Sequence, residues 1–494
     1  MSDFQALLSG FEVALSGTNL LYCVLGVVLG NLVGVLPGLG PTATIALLLP
    51  FAFTLPPETG LIMMAGIYYG AMYGGSITSI LLDLPGEAAT VVTTLDGYQM
   101  TRQGRAGVAL GIAAIGSFAA GTFALLGLQF LAPGLAEFAV RFGAPEYTVL
   151  TALGIVLVAY LGSKAFVKSA ICAAFGLILA VVGQDPMTGT VRFTFGSTDL
   201  LGGFDFAAIA MGVFGIGEIL YSLENLSKEN ALPGRIGRLW PSVKDFAQAK
   251  WAIVRGSVTG FFIGILPGGG AILATVAAYS LEKRLSRTPE KFGKGTIEGV
   301  AAPESANNAA AGAAFIPLLT LGIPTDAVMA LMFGALLLHG ITPGPGLIAD
   351  HPDVFWGVLS SMYIGNAILL LLNLPFVGVF IQILRVKRVV LMSFAVLVTM
   401  IGVYSLGNDE FNMWAVLAFG ALGYVMRKTG FEPSPLVLAF VLGQVLERSF
   451  RQSMIMSNGD ASVFVQRPFS GSMLAIVAAA LIFYIIRVRL KKAN

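Results

Sequence analysis

Charge is what this sequence has least of. Only 11% of its 494 residues are Asp, Glu, Lys or Arg, against about 25% in ordinary soluble domains. A soluble body of this length cannot clothe its surface with so few charges, which excludes a soluble globular enzyme. Histidine is reduced to His339 and His351, too few for a His-based metal centre. Neither HExxH nor GxSxG occurs, which removes the common signatures of a membrane-embedded hydrolase. No phosphate-binding P-loop pattern occurs either, so any pumping must draw on energy other than ATP bound to this chain. The two cysteines, Cys23 and Cys172, lie in apolar runs and read as buried small residues. No Lys or Arg precedes Arg102, so a cleavable signal peptide is not expected. A net charge of +2 offers no basic field for nucleic acid. No polar stretch is long enough for a separate soluble domain.

What the chain does have is apolar length. Hydrophobic residues make up 56% of it. Val13 to Pro57 carries no formal charge, nor do Val108 to Leu135, Ser257 to Ser280, Val354 to Leu384, Val389 to Asn408 or Pro468 to Ile486. At roughly 20 apolar residues per helical span, these and several shorter runs supply about 12 spans. Phe4, Leu7, Leu8, Phe11 and Leu15 have helical spacing and read as an interfacial helix ahead of the first span. Basic residues gather at Arg102 and Arg105, at Arg235 to Arg255, at Arg427 and Lys428, and in the tail from Arg487 to Lys492. The bias of such loops toward the cytoplasm places the tail there, and the loops at Arg102 and at Arg235 to Arg255 on the same side.

The most informative feature is internal similarity. Gly30 to Gly40 reads GNLVGVLPGLG and Gly260 to Gly270 reads GFFIGILPGGG, an offset of 230 residues with six of eleven positions identical. A second pair follows, LPGEA at Leu84 to Ala88 and IPTDA at Ile323 to Ala327, offset by 239. Each copy interrupts an apolar run with Pro and Gly, which break helices. A broken helix inside a membrane survives only where it is buried in protein or lines a wet cavity. The breaks therefore mark a ligand site near the bilayer midplane, in the repeat architecture of secondary transporters. The helix N-terminus after each break offers free amides and a positive dipole end to an anion such as a carboxylate.

On this reading the substrate is received at Gly38, Leu39, Gly40, Thr42, Ser76 and Gly86 in the first half. In the second half it is received at Gly268, Gly269, Gly270, Ser305, Asn307, Asn308 and Thr325. Carboxylates within apolar runs are expensive and default to function. Asp83, Glu87, Glu304 and Asp326 are assigned to the coupling ion, with capping of the following helix as the competing role for Glu87 and Asp326. Asp96 and Glu298 belong to the same set of membrane acids. The polar run Pro303-Glu304-Ser305-Ala306-Asn307-Asn308 reads as opening a helix, and Tyr68 to Ser76 occupies the comparable place in the first half. Glu137 and Glu146 read as interfacial. The expected division is a first half over 1–232, a basic linker over 233–256 and a second half over 257–494.

These motifs resemble the large membrane subunit of the bacterial tripartite tricarboxylate transporters, the TctA type. The resemblance covers nearly the whole chain. It is carried by GVLPGLGPTATIALLLP, YYGAMYGGSITSILL and LPGEAATVVTTLDGYQMTRQGRAG in the first half. In the second half the carriers are GILPGGGAILATVAAYSLEKR, FGKGTIEGVAAPESANNAAAGAAFIPLLTLGIPTDAV and LHGITPGPGL. It implies an all-α, multi-pass protein of the bacterial inner membrane, built from about 12 transmembrane helices with re-entrant or broken segments in two homologous, inverted repeats. It also implies a small membrane subunit of TctB type and a periplasmic substrate-binding protein of TctC type as partners, with no nucleic acid. The implied activity is uptake of citrate or a related small carboxylate, driven by Na⁺ or H⁺ rather than by a cofactor, with elevator-like alternating access. A carboxylate channel or exporter working without a binding protein is the competing class, because broken helices also build pores. The chain departs from the family pattern at Asp83, where Asn is common, and at Thr325-Asp326, where Gly-Ser is common.

Overall fold

In a computed structural model of the chain, residues 3–36, 40–161, 165–224, 237–383, 388–407, 410–476 and 478–479 are described. Among them the only strands are the two-residue pair Gly183–Gln184 and Val191–Arg192. Everything else regular is helical. The first half contains α1 (Asp3–Ala14), α2 (Gly17–Val35), α3 (Pro41–Phe53), α4 (Pro57–Leu82), α5 (Val91–Arg102), α6 (Ala106–Ala139), α7 (Ala144–Leu161), α8 (Phe166–Ala180) and α9 (Phe206–Glu224). The second contains α10 (Val243–Gly264), α11 (Gly270–Leu285), α12 (Glu298–Ala313), α13 (Phe315–Leu321), α14 (Ala327–Leu338) and α15 (Pro352–Asn373). It continues with α16 (Val377–Ile383), α17 (Arg388–Gly407), α18 (Glu410–Lys428) and α19 (Ser434–Met456).

Among the described residues five helices, α2, α6, α7, α9 and α15, are long and apolar enough to cross a bilayer. The apolar run Pro468 to Ile486 lies partly outside the described residues, and two physical features keep other expected spans from this set. The breaks divide some apolar runs into helices of half length, such as α3 and α14. Other helices need no greasy exterior, because protein rather than lipid covers them. Every residue of α4 from Thr59 to Leu82 is buried, including three tyrosines and several glycines that would read poorly as a lipid-facing span. The outer helices do present apolar side chains: Phe130, Tyr160, Phe262 and Trp414 are all more than half exposed, a surface suited to hydrocarbon.

Two helix pairs form the frame. Gly26, Gly30 and Gly34 of α2 lie against the backbone of Met63, Ile67 and Ala71 of α4, so closely that an added methyl would collide with the carbonyls. Gly256, Gly260 and Gly264 of α10 lie in the same way on Ala302, Ala306 and Ala310 of α12. Small residues at four-residue spacing let backbones meet, and van der Waals packing over that contact holds helices together where no hydrophobic drive exists between them. The glycines of the two pairs are offset by 230 residues and their partners by 239, the same two offsets that separate the sequence motifs. Within each pair the helices run parallel. The pairs themselves run antiparallel to one another, since Ser76 of α4 meets Glu304 of α12 while Tyr69 lies beside Gly312.

Several local readings change. The polar run at 303–308 does not open a helix. It lies in the middle of α12, which starts at Glu298 and carries Pro303 internally. The segment read as a linker is helical from Val243 onward, with Ser242 and Asp245 forming a capping box, so residue 257 falls inside α10. The helix α1 forms as its spacing suggests, yet it docks against protein. Gly10 packs on the backbone of Trp356 and the Phe11 ring lies 6.3 Å from that of Tyr363. Glu146 is 1% exposed rather than interfacial, where it accepts from the Gly143 amide and pairs with Arg467 at 3.2 Å. Asp96 turns out to be structural. Its carboxylate accepts from the amides of Gly293, Gly295 and Thr296 and from the Tyr279 hydroxyl, fixing α5 to the loop that precedes α12. Glu298 accepts from Thr296 and Gln248 beside it.

Candidate functional site

The chain breaks converge. A cavity of about 660 Å³ is lined by Gly40 and Thr42 after the first break, and by Gly86 and Glu87 after the second. Gly268 to Gly270 after the third and Thr325 and Asp326 after the fourth complete it. Three helices therefore start at its wall, α3 at Pro41, α11 at Gly270 and α14 at Ala327, and the 3₁₀ turn Ala88–Thr90 leads from it into α5. The local chemistry that brings them there is legible. Gly268 adopts a left-handed φ of 75°, which a side chain disfavours, and its amide donates to the Thr325 carbonyl at 2.8 Å. One break is thereby tied to another. Gly322, with φ 68°, ends α13 and turns the chain toward α14.

Each of the two acids in the breaks caps the helix it precedes. Asp326 accepts from the Met329 amide at 2.9 Å, and the Tyr68 hydroxyl donates to it at 3.3 Å. Glu87 forms a capping box with Thr90 and receives Asn307 Nδ2 at 3.0 Å. Both carboxylates thus line the cavity while already holding backbone donors. Glu304 lies deeper, fully buried in α12. The Ser76 hydroxyl donates to one of its oxygens and Thr93 Oγ1 donates to the other at 2.5 Å. Buried oxygens near these acids lack hydrogen-bond partners: Ser305 Oγ, Asn307 Oδ1, Asn308 Oδ1, Thr325 Oγ1 and the Tyr69 hydroxyl. Leaving a buried polar atom unpaired costs roughly 1–3 kcal/mol, so such a group marks a place where water, an ion or a ligand completes the bonding.

Thus Gly40, Thr42, Gly86, Gly268, Gly269, Gly270 and Thr325, with Glu87 and Asp326, come together at one cavity wall. Ser76, Glu304, Ser305, Asn307 and Asn308 sit behind that wall, on α4 and α12. Gly38 and Leu39 lie outside the described residues. Asp83 departs from its expected place. It caps α4 with a left-handed φ of 60°, is exposed and does not line the cavity. Asp and Asn adopt that conformation more readily than other residues with side chains, which accounts for an acid here without any ion.

Sequence reasoning missed one wall. Arg427 and Glu432, together with Glu218 of α9, line the cavity, and Arg427 Nη2 lies 2.6 Å from Glu218 Oε2. Beside Lys428 at a helix end, Arg427 reads as an ordinary topology marker. The one hint available is the π-helical turn Met211–Ile216 within α9, a distortion frequent at functional sites, and sequence does not foretell it.

Several apolar helices long enough to cross a bilayer, together with chain breaks that meet at a shared cavity, define a multi-pass membrane protein. The chain belongs to the tripartite tricarboxylate transporter TctA family, whose sequence profile matches residues 20–438. This is a family of transporter components rather than of enzymes, each one part of a tripartite system. Two proteins of Agrobacterium vitis are similar to it. The uncharacterized 52.8 kDa protein in the TAR-I ttuC' 3' region is 50% identical over 98% of this chain and 96% of its own length. The uncharacterized protein in the TAR-II ttuC' 3' region is 52% identical over 44% of this chain and 90% of its own length. No solved structure matches the chain.

Proposed function

We propose that this protein is the large membrane subunit of a secondary uptake system for citrate or a related di- or tricarboxylate in the bacterial inner membrane. A periplasmic TctC-type protein delivers the substrate, and a small TctB-type membrane subunit completes the complex. The observation that carries this reading is the meeting of three helix N-termini and one 3₁₀ turn at one cavity. Their amides and positive dipole ends suit carboxylates, and their placement on broken helices suits alternating access.

The coupling ion is Na⁺ or H⁺. Unpartnered oxygens of Asn307, Asn308 and Thr325 beside Glu87 and Asp326 make a hard donor set of the kind a small cation takes, and the acids supply sites for a proton. A bound cation also offsets the repulsion between these acids and an anionic substrate, which links the two fluxes. The antiparallel arrangement of the α2–α4 and α10–α12 pairs, together with the matched offsets, supports two homologous halves related as inverted repeats. Rigid movement of the cavity-bearing helices against the remainder would then give an elevator-like cycle.

The test is reconstitution of this chain with its small subunit in liposomes, followed by uptake of radiolabelled citrate and other di- and tricarboxylates. Uptake that requires both the binding protein and an imposed Na⁺ or H⁺ gradient is the expected result. Passive equilibration in either direction, without binding protein or gradient, overturns it in favour of a channel.

A further inference from the structure

We propose that Arg427 is the fixed cation that receives a substrate carboxylate, and that Glu218 occupies its guanidinium until substrate arrives. The inference rests on the carboxylate-uptake reading above and adds the residue that selects the anion. The charged side chains lining the cavity are Glu87, Glu218, Asp326, Glu432 and Arg427, four acids against one base. Helix N-termini alone must therefore draw a polyanion into a wall of carboxylates. Among the described residues only Arg427 brings a full positive charge to it, and an arginine stays protonated at any working pH.

Its present bonding is incomplete. Arg427 Nη2 stands 2.6 Å from Glu218 Oε2, yet the approach is poorly aligned, for that oxygen lacks a hydrogen-bond partner and Arg427 Nε is buried with none. A guanidinium presents a planar fork of donors that matches a carboxylate in two parallel bonds. Here an edge of the fork is unused. A substrate carboxylate that meets that edge makes the aligned pair that Glu218 does not make. The side chain is about one-third exposed, so it is reachable. Glu432 Oε1 accepts from Ser434 Oγ at 3.0 Å, and Glu218 is the acid whose oxygen stands within ion-pair distance of the guanidinium. The two carrier helices are locked together below the pair, with Gly212 and Gly217 of α9 against Phe419 and Gly423 of α18. That lock holds Arg427 in position whether or not Glu218 is engaged.

The experiment compares the reconstituted wild-type complex with Glu218→Gln, Arg427→Lys, Arg427→Gln and the Glu218→Gln/Arg427→Gln double variant. It reads KM and maximal rate for labelled citrate, along with monodispersity of each purified variant. Arg427→Gln is expected to raise KM by about tenfold or more, the loss typical of a hydrogen bond to a charged group. Arg427→Lys is expected to fall between, because it keeps the charge without the fork. Glu218→Gln is expected to lower KM, since a competitor has been removed. The double variant decides between recognition and structure: it repairs the unpaired acid but supplies no cation, so KM stays high. A double variant with wild-type KM, or an Arg427→Gln variant with unchanged KM, overturns the inference while leaving the uptake reading intact. A wild-type complex that moves no di- or tricarboxylate overturns both.

Discussion

Asn307 of α12 donates its Nδ2 to Glu87 Oε1 at 3.0 Å, across 220 residues of sequence. The bond joins the cap of one break to the helix that leads into another, so the two halves of the chain share a single polar centre. Its other end is unfinished, because Asn307 Oδ1 is buried without a partner. Replacing Asn307 by Ala removes a neutral donor to an acid and one oxygen of the proposed ion site. Cation-dependent uptake is expected to fall about tenfold or more, the loss typical of a hydrogen bond to a charged group. Uptake measured against graded Na⁺ and against pH checks this. A variant with an unchanged cation dependence would remove Asn307 from the ion path.

Asp96 makes the opposite kind of contribution. Three backbone amides and a tyrosine hydroxyl point at its carboxylate. Asp96→Ala leaves those donors buried without an acceptor, at a cost on the order of 3 kcal/mol. The melting temperature of the purified protein is expected to drop, while the KM of whatever protein remains folded stays at its wild-type value. A raised KM with unchanged stability would instead make Asp96 part of the substrate site.

Glycine contacts between helices are testable by the smallest possible change. A methyl at Gly30 or Gly260 meets the carbonyl of Ile67 or Ala306, so either Gly→Ala change forces the helices apart at about 1–3 kcal/mol. Gly134, inside α6, has nothing within 4 Å of an added methyl, and there the same change is expected to stabilise by about 0.5–1 kcal/mol through helix propensity. Denaturation of the three variants side by side reads the contrast.

Asp83→Asn is expected to leave uptake unchanged, because the residue is exposed, lies outside the cavity and needs only to tolerate a left-handed φ. Asp83→Val loses about 1–2 kcal/mol of stability at the same position, where a left-handed backbone brings Cβ too close to the following carbonyl. A loss of cation dependence in Asp83→Asn would return this acid to the coupling site.

Far from the cavity, the Met187 amide and the Arg451 guanidinium hold the Asp185 carboxyl well below the usual carboxylate range. A depressed native pKa contributes stability that is fully present above the unfolded value, about 3.9, and fades as pH falls toward the native one. The stability gap between wild type and Asp185→Asn is therefore expected to be widest near neutrality and to narrow below about pH 4. Thermal unfolding across pH measures it; a gap that widens in acid would contradict the assignment.

How much of this was readable beforehand depended on the kind of signal. Breaks were legible because Pro and Gly act locally: LPGE, PGGG and IPTD each contribute residues to the cavity wall, as does Gly40 at the end of PGLG, whose first three residues lie outside the described residues. Asp83 was not, because only the backbone angle at the end of α4 distinguishes a helix terminator from an ion ligand two residues before Pro85. Arg427 was hidden for a tertiary reason: its role comes from α9 and α18 packing side by side, and nothing near position 427 encodes Glu218. The polar run of α12 was seen but misplaced, since Pro303 reads as a helix start when it stands within the first turns of a longer helix.

A helix enclosed by protein along nearly its whole length, as α4 is, has consequences for biogenesis. Tyr68, Tyr69, Tyr73, Ser76 and Ser79 make α4 a poor passenger for direct release into lipid, where each polar group would seek a partner. The groove built for it on α2 emerges first from the ribosome, with Gly26, Gly30 and Gly34 already aligned. Lodging α4 in a bilayer therefore calls for α2, which precedes it in the chain, as a partner that covers its polar face.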